Sequence, residues 1–154
     1  MATSFDVELV TPERILFQGP AEQVILRTRE GDLAFLAGHA PLIGSVEPCI
    51  VRIQYDDAAR EQRAAVHGGF VRTSHNRTVI LAAVAELAEE IDLDRARRAK
   101  EKSAQALSTM SASAAQRLTI TQPNGEEADV TAEAMEAAQR RAELRIETAE
   151  TPHF

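Results

Sequence analysis

The stretch FDVELVTPERILFQGP, residues 5–20, predicts how the N-terminal half of the chain folds. From Phe5 to Leu9, apolar and polar residues alternate, which is typical of a strand with one buried face. Thr11-Pro12 interrupts this alternation, RILF resumes it, and Gly19-Pro20 is expected to end it. The stretch therefore predicts two strands joined by a turn.

Short apolar runs separated by turn residues continue along the chain as far as Val84. One of them, CIVRIQY, places its alternate residues from Cys49 to Tyr55 on one face. Gly68-Gly69 is predicted to connect two of the strands tightly. Eight or more strands, at intervals of about 8–12 residues, predict an antiparallel sandwich or barrel.

The periodicity becomes helical after residue 90. Asp92 is placed to cap a first helix, because its carboxylate can accept hydrogen bonds from the unpaired N–H groups of the first turn. A narrow stripe of mostly small residues follows, formed by Leu93, Ala96, Ala99, Ser103, Leu107 and Met110. A second helix is predicted from about Thr131 to about Glu150.

Residues 1–90 are thus expected to form a β domain and residues 91–154 a helical domain, with a linker at about 111–130. The stripes of both helices are rich in alanine and bury little apolar surface. The helical domain is therefore expected to be only marginally stable unless it packs against something else.

Composition excludes several classes of function. The formal net charge of -7 argues against nucleic-acid binding. A single cysteine excludes a disulfide framework and a cysteine-based zinc site. The histidines show no helical pairing with a glutamate, and neither GxxxxGK[ST] nor GxGxxG occurs, so no metal site and no catalytic residue are predicted.

The N-terminus lacks a basic region followed by an apolar segment, and no apolar run approaches the roughly 20 residues of a membrane helix. An intracellular protein without direct membrane insertion is expected, and any association with a membrane would go through partners.

Two charged segments near the start of the first helix have alternative interpretations. Glu86, Asp92 and Arg95 surround the junction and could bind a nucleotide at the helix N-terminus, or Asp92 could simply cap the helix and pair with Arg95. Residues 92–102 contain five bases and three acids. This stretch could face an acidic partner or could be a solvated helix face.

Several motifs occur in a distinctive order: FxVxLVTPER near the N-terminus, VxLxTxEGD at 24–32, GHAP at 38–41, GGF at 68–70 and IDLDRA at 91–96. In order and spacing they resemble the epsilon subunit of the F-type ATP synthase, over roughly residues 3–110. No single motif is decisive, but together they are specific.

The resemblance implies an antiparallel ten-strand β-sandwich followed by an antiparallel hairpin of two helices. It also implies a non-catalytic rotor subunit in the central stalk of a proton-translocating ATP synthase, peripheral at the cytoplasmic face of the bacterial plasma membrane. The sandwich would bind the gamma subunit and the membrane rotor ring. The helices would inhibit ATP hydrolysis by extending into the catalytic head.

The same resemblance assigns contacts to individual residues. Asp32, in the Glu30-Gly31-Asp32 turn, and His39, in the GHAP loop, would face the rotor partners. The basic residues that would approach an acidic segment of the beta subunit are Arg97, Arg98, Lys100 and Lys102.

The run IDxxRA resembles the motif with which some bacterial epsilon subunits bind ATP. It is matched by Ile91, Asp92, Arg95 and Ala96, with Glu86 at the upstream acidic position. Arg141 and Arg145 would clamp the phosphates from the second helix. ATP would then be a regulatory ligand, and no cofactor would be required.

Region 111–130 departs from the resemblance, because it is longer than the usual hairpin turn and leaves the register of the second helix open. Two other hypotheses remain from the residues alone. One is a free-standing β-sandwich binding module with a helical dimerisation arm. The other is an enzyme with a site around His39 or His67.

Overall fold

The computed structural model describes residues 3–57, 59–117 and 125–151, with side chains for all of these except 112–117 and 125–131. The chain divides into two compact units. The first, called here the sandwich unit, comprises Met1–Ile91 and Glu147–Phe154. The second, the helical unit, comprises Asp92–Ile146.

The sandwich unit is built from ten strands. They are β1 (Phe5–Val10), β2 (Ile15–Ala21), β3 (Gln23–Thr28), β4 (Gly31–Leu36), β5 (Leu42–Val46), β6 (Cys49–Tyr55), β7 (Arg60–Val66), β8 (Gly69–Ser74), β9 (Arg77–Ala82) and β10 (Ala85–Leu87). A short 3₁₀ helix, Ala88–Glu90, follows β10.

The strands run in the order β10-β7-β6-β3-β5-β8-β9-β1-β2, and β4 pairs with β3. Val7 of β1, Leu26 of β3 and Ala85 of β10 belong to one core cluster although their strands lie far apart in this order. The sheet must therefore fold over onto itself, which confirms the predicted ten-strand sandwich. The alternation predicted for β1 is present, since Phe5, Val7 and Leu9 are all buried.

One neighbouring pair, β1 with β9, is parallel, whereas the other pairs are antiparallel. β1 belongs to one hairpin, with β2, and β9 belongs to another, with β8. No short connection fixes their relative direction, so the alternation within each strand could not predict it.

The sequence pattern predicted that β2 would end at Gly19-Pro20. The strand instead continues through these two residues and ends at Ala21. Pro20 lies opposite Asp6 of β1. β2 is the last strand in the order, so its outer side needs no ladder hydrogen bonds. An edge strand tolerates a proline because the missing N–H need not face a neighbour.

The two predicted helices are present as α1 (Leu93–Arg117) and α2 (Gly125–Glu150). Asp92 caps α1 as predicted, because its Oδ1 accepts a hydrogen bond of 2.9 Å from the Arg95 N–H. Within the helical unit, an ion pair of 3.3 Å joins Lys100 Nζ of α1 to Glu143 of α2. Small side chains of the stripes, Ala96, Ser103 and Ala142, are buried.

Helical structure extends into both ends of the expected linker at 111–130. α1 continues to Arg117, and α2 begins at Gly125 rather than near Thr131. Leu118 and Ile120 alternate with polar residues, a pattern that could form a short strand, but they lie outside the described residues. The last turn of α2 belongs to the sandwich unit, so the second unit ends at Ile146 rather than at the C-terminus. Within the described residues, neither helix is both long and apolar enough to cross a membrane.

Candidate functional site

A row of apolar side chains lies exposed on the outer face of the sandwich. Phe70 of β8 is opposite Leu81 of β9, and Leu81 is opposite Val10 of β1. Val10 is in turn opposite Ile15 of β2, and Ile43 of β5 lies diagonally beyond Phe70. We call these five residues the apolar row.

The apolar row is more exposed than large apolar side chains usually are in a folded domain. Ile43 is 74% exposed, Phe70 62%, Ile15 58% and Leu81 52%. The neighbouring residues Val71 and Ile80 point the other way and are fully buried in the core. A contiguous exposed apolar patch on a folded domain marks a binding surface for a protein or membrane. The apolar row can stabilise a complex by burying apolar surface, and its five side chains include no nucleophile or proton donor.

Sequence reasoning missed the apolar row. The period of two in each strand could have identified Phe70 and Leu81 as outward-facing once Val71 and Ile80 were assigned to the core. That these side chains form one row across five strands follows only from the register of pairing, which strand patterns alone do not give.

Asp32, predicted to contact a partner, lies at the start of β4 in the hairpin formed with β3. Its carboxylate accepts two hydrogen bonds from Arg27, Nε to Oδ1 at 2.7 Å and Nη2 to Oδ2 at 3.1 Å. These hydrogen bonds hold the pKa of Asp32 below its usual value. Thr28 Oγ1 donates to the Gly31 carbonyl at 3.1 Å and accepts from the Glu30 N–H at 3.3 Å. Asp32 thus forms an ion pair beside a hydrogen-bonded turn, and both members of the ion pair are largely exposed.

His39, the other predicted contact, lies half-buried in the loop between β4 and β5. Its ring lies 4.9 Å from that of Phe35, centroid to centroid. Its Nδ1 is 2.7 Å from the Ala40 carbonyl oxygen, which requires a proton on Nδ1. The Gly38 N–H donates to Asn76 Oδ1 at 3.3 Å and so ties this loop to the turn between β8 and β9. The structure places His39 on an ordered loop; its contact with a partner remains a prediction.

The seven residues predicted to bind a nucleotide are divided between the two units. Glu86 and Ile91 belong to the sandwich unit, and the others, Asp92, Arg95, Ala96, Arg141 and Arg145, belong to the helical unit. Ile91 and Ala96 are buried, whereas Arg95 and Arg141 are exposed. Glu86 pairs with Ala65 across β10 and β7. Capping of α1 accounts for the position of the Asp92 carboxylate. Nucleotide binding by these seven residues remains a prediction.

The predicted basic contacts, Arg97, Arg98, Lys100 and Lys102, are all exposed on α1. Lys100 pairs with Glu143. The pKa of Glu143 is lowered by a hydrogen bond from the Gln139 side chain and by Lys100. In the part of the chain that the structure describes, Arg98 and Lys102 form no ion pair, which leaves their charge available to a partner.

The segment between β10 and α1 is fixed to the sandwich by two pairs of hydrogen bonds. Arg14 donates two to Glu90, one of them at 2.9 Å, and they lower the pKa of the Glu90 carboxyl. Gln62 Nε2 donates to both oxygens of Glu89, at 2.9 and 3.0 Å. These hydrogen bonds therefore hold the segment that precedes α1 on the sandwich.

A shallow cavity of about 590 Å³ lies beside the edge strand β2. Phe17 and Tyr55 line it with their rings 5.6 Å apart. Glu22 Oε1 accepts a hydrogen bond from the Asp57 N–H at 3.3 Å and so supports the turn between β6 and β7. The described residues contain no cluster of three or more metal-ligating side chains.

Comparison with known proteins places these features in context. Residues 4–88 match the family model described as ATP synthase, Delta/Epsilon chain, beta-sandwich domain. An ATP synthase epsilon chain of Desulforudis audaxviator is 47% identical over 96 residues, which cover 62% of this chain and 69% of the relative. That of Thermobifida fusca is 50% identical over 95 residues, covering 60% and 69%.

Among solved structures, the fold resembles a chain in the Euglena gracilis mitochondrial ATP synthase, OSCP/F1/c-ring, with a TM-score of 0.69 and 20% identity. That match covers 92% of this chain and 78% of the other. A chain of the Tetrahymena thermophila mitochondrial ATP synthase central stalk and c-ring gives a TM-score of 0.53 at 14% identity, covering 92% and 95%. At these identities the likeness concerns the fold alone.

Proposed function

This chain belongs to the family of ATP synthase delta and epsilon chains, and we propose that it works as the rotor epsilon subunit in the central stalk of a bacterial F-type ATP synthase. It is a non-catalytic subunit of that enzyme. The family match spans the sandwich, which is the part of the chain that carries the apolar row.

The apolar row is the observation that carries the proposal. We assign it to the gamma subunit, because a stalk subunit must be held to the rotor shaft while torque passes through it. Each exposed Phe, Leu or Ile side chain stabilises such a complex by about 1 kcal/mol or more when it is buried. A row spanning β5, β8, β9, β1 and β2 offers several such contributions on a surface that the sheet keeps rigid.

The two ordered loops support a second contact, with the membrane rotor ring. The Arg27–Asp32 pair braces the turn between β3 and β4, and Asn76 braces the loop that carries His39. A loop whose conformation is already fixed loses little entropy on binding. Through this contact the protein would lie at the cytoplasmic face of the plasma membrane as a peripheral subunit.

The helical unit supports a regulatory role. Exposed cations on α1, above all Arg98 and Lys102, suit an acidic segment of the beta subunit, which the helices would approach when they inhibit ATP hydrolysis. ATP would bias the helices away from this state by binding at Glu86 and the Ile91–Ala96 junction. Small buried residues such as Ala96 and Ala142 bury little area, so the unit can rearrange at modest cost.

Gamma binding is tested by replacing Phe70→Asp in the full chain and co-purifying it with the gamma subunit. A carboxylate in the middle of a buried apolar surface must be desolvated, so we expect the recovered complex to fall by about tenfold or more. The matched control is Leu36→Asp. Leu36 is 54% exposed but lies on β4, outside the apolar row.

Equal recovery of gamma with both variants would mean that the apolar row does not bind it. A stable homodimer of the wild type that does not bind gamma would instead favour the free-standing binding module with a helical dimerisation arm.

A further inference from the structure

An arginine lies beside the apolar row on the same outer face of the sandwich. Arg72 of β8 is exposed, and it points to the same side as Phe70 because side chains alternate along a strand. Its direct cross-strand neighbours are Ile43 of β5 and Val79 of β9. Ile43 and Phe70 both belong to the apolar row. The guanidinium of Arg72 therefore lies among exposed apolar side chains.

The charge of Arg72 is not balanced within the sandwich. Among the residues whose side chains the structure describes, none forms an ion pair or a hydrogen bond with this side chain. Its charged neighbour on β9, at the diagonal position, is another cation, Arg77. The five strands of this face contain two acids, Asp6 and Glu8, and both lie on β1, which β9 separates from β8.

Glu8 is already occupied. Its Oε1 accepts a hydrogen bond of 2.8 Å from Arg77 Nη2 and another of 3.3 Å from Gln18 Nε2. These contacts compensate the Glu8 carboxylate within the face. Arg72 is thus left as a cation without a counter-charge on a surface that is proposed to bind a partner.

A partner that covers the apolar row must also cover Arg72, because Ile43 and Phe70 flank it. Burying an ionised guanidinium without a counter-charge is costly and would oppose the complex. Backbone carbonyls could accept its hydrogen bonds but would leave the charge uncompensated. A carboxylate does both, and its two oxygens match the planar fork of a guanidinium.

We propose that Arg72 determines specificity for the gamma subunit by pairing with an aspartate or glutamate that gamma places among the apolar residues covering the row. This inference rests on the proposed function, because it names the chemistry of the same contact. The apolar row attracts any complementary apolar surface, whereas Arg72 penalises every surface that lacks the acid. A buried arginine next to an aromatic side chain is also typical of the residues that contribute most to binding energy.

The test measures the dissociation constant of the complex between the full chain and the gamma subunit. Arg72→Met keeps an apolar stem of similar length but removes the charge. We expect the affinity to fall by about tenfold or more, because the carboxylate of gamma would be buried without its partner. If gamma offered no acid, the same substitution would remove an uncompensated cation and would tighten binding. The direction of the change therefore distinguishes the two cases.

Arg60→Met is the matched control. Arg60 is an exposed cation on β7, outside the five strands of the face, and its loss changes the net charge by the same amount. This variant should bind gamma as the wild type does. Arg72→Lys keeps the charge without the bidentate geometry and should retain part of the affinity. Circular dichroism checks that each variant is folded.

A charge swap identifies the acid itself. Arg72→Glu should abolish binding, because it places two carboxylates against each other. Among gamma variants in which a single Asp or Glu is replaced by Lys, one should restore binding to this variant.

Wild-type or tighter binding by Arg72→Met would overturn the inference, and so would an equal loss in Arg60→Met. Failure of every gamma variant to restore binding to Arg72→Glu would overturn the carboxylate as the acceptor. If the wild type itself does not bind gamma, the proposed function fails. If Phe70→Asp weakens binding and Arg72→Met does not, gamma binding stands and only this inference fails.

Discussion

Gly69, the first residue of β8, occupies a position where a side chain has no room. Its φ is 153°, and a Cβ at this position would overlap the carbonyl oxygen of Leu81 on β9. Gly68 before it has a φ of 97°, which L-residues rarely adopt. The predicted tight connection therefore depends on both glycines, and the second also lets β8 approach β9.

We expect Gly69→Ala to lower the free energy of unfolding by about 2 kcal/mol or more, because β9 must shift or the ladder must open. Chemical denaturation followed by circular dichroism measures this change. Gly19→Ala is the control, since no atom lies within 4 Å of a Cβ built there and its φ is not positive. A similar loss in both variants would show that alanine acts through something other than the close approach to β9.

For individual residues, the sequence could predict only interactions between near neighbours along the chain. The cap at Asp92 needs only the three residues that follow it, and Arg95 N–H indeed bonds to its carboxylate. The buried partnership of Arg63 could not be predicted in this way, because its acceptor, the Thr151 carbonyl, is 88 residues away. An arginine in a strand pattern is normally an outward-facing, solvated residue.

Among the elements, the hairpin of β3 and β4 shows how an exposed ion pair can order a turn. Since the pKa of Asp32 is lowered in the folded state, its ionised form adds stability above the ordinary pKa of an aspartate. That contribution is lost as the pH falls through the lower folded-state value. Both side chains are largely exposed, so the effect is small and weakens with salt.

We expect Arg27→Met to raise the pKa of Asp32 toward its ordinary value, because the hydrogen bonds and positive charge that favour the carboxylate are removed. An NMR titration of the carboxyl carbon measures it. Arg29→Met is the matched control in the same turn, since Arg29 faces Glu47 at 3.5 Å instead of Asp32. A pKa of Asp32 that is the same in Arg27→Met and the wild type would contradict the assigned cause.

Strand and helix types were predictable because alternation and caps are properties of short segments. The parallel pairing of β1 with β9 was not, and it is this pairing that sets Leu81 beside Val10 and completes the apolar row. The extension of β2 through Pro20 depends on its edge position, which is a property of the sheet order. The surface proposed to bind gamma therefore could not be predicted from the sequence pattern of any single strand.

For the whole molecule, the resemblance of the IDxxRA run predicts ATP binding. We expect calorimetric titration of the full chain with ATP to give binding heat in the wild type. In Arg95→Ala the affinity should fall by about tenfold or more, because a charge-assisted hydrogen bond to phosphate is lost. Arg98→Ala, another exposed cation of α1 outside the matched motif, should bind as the wild type does.

No heat with the wild type, or equal affinity in Arg95→Ala, would leave Asp92 with its role as the cap and Arg95 as a solvated side chain. The rotor assignment does not depend on this result, because it rests on the sandwich and its family match.

Gln62 and Arg63 are consecutive residues of β7, and each binds a residue that lies just outside the helical unit along the chain. Gln62 donates to Glu89, which precedes α1, and Arg63 donates to the carbonyl of Thr151, which follows α2. The chain itself therefore connects Thr151 to the strand that binds it. Because their association is intramolecular, Thr151 has a high effective concentration near β7, about millimolar for a flexible tether. A contact too weak to hold a separate peptide can therefore keep Thr151 attached most of the time. Cutting the chain between the two helices would remove that advantage without altering a single atom of the binding surface.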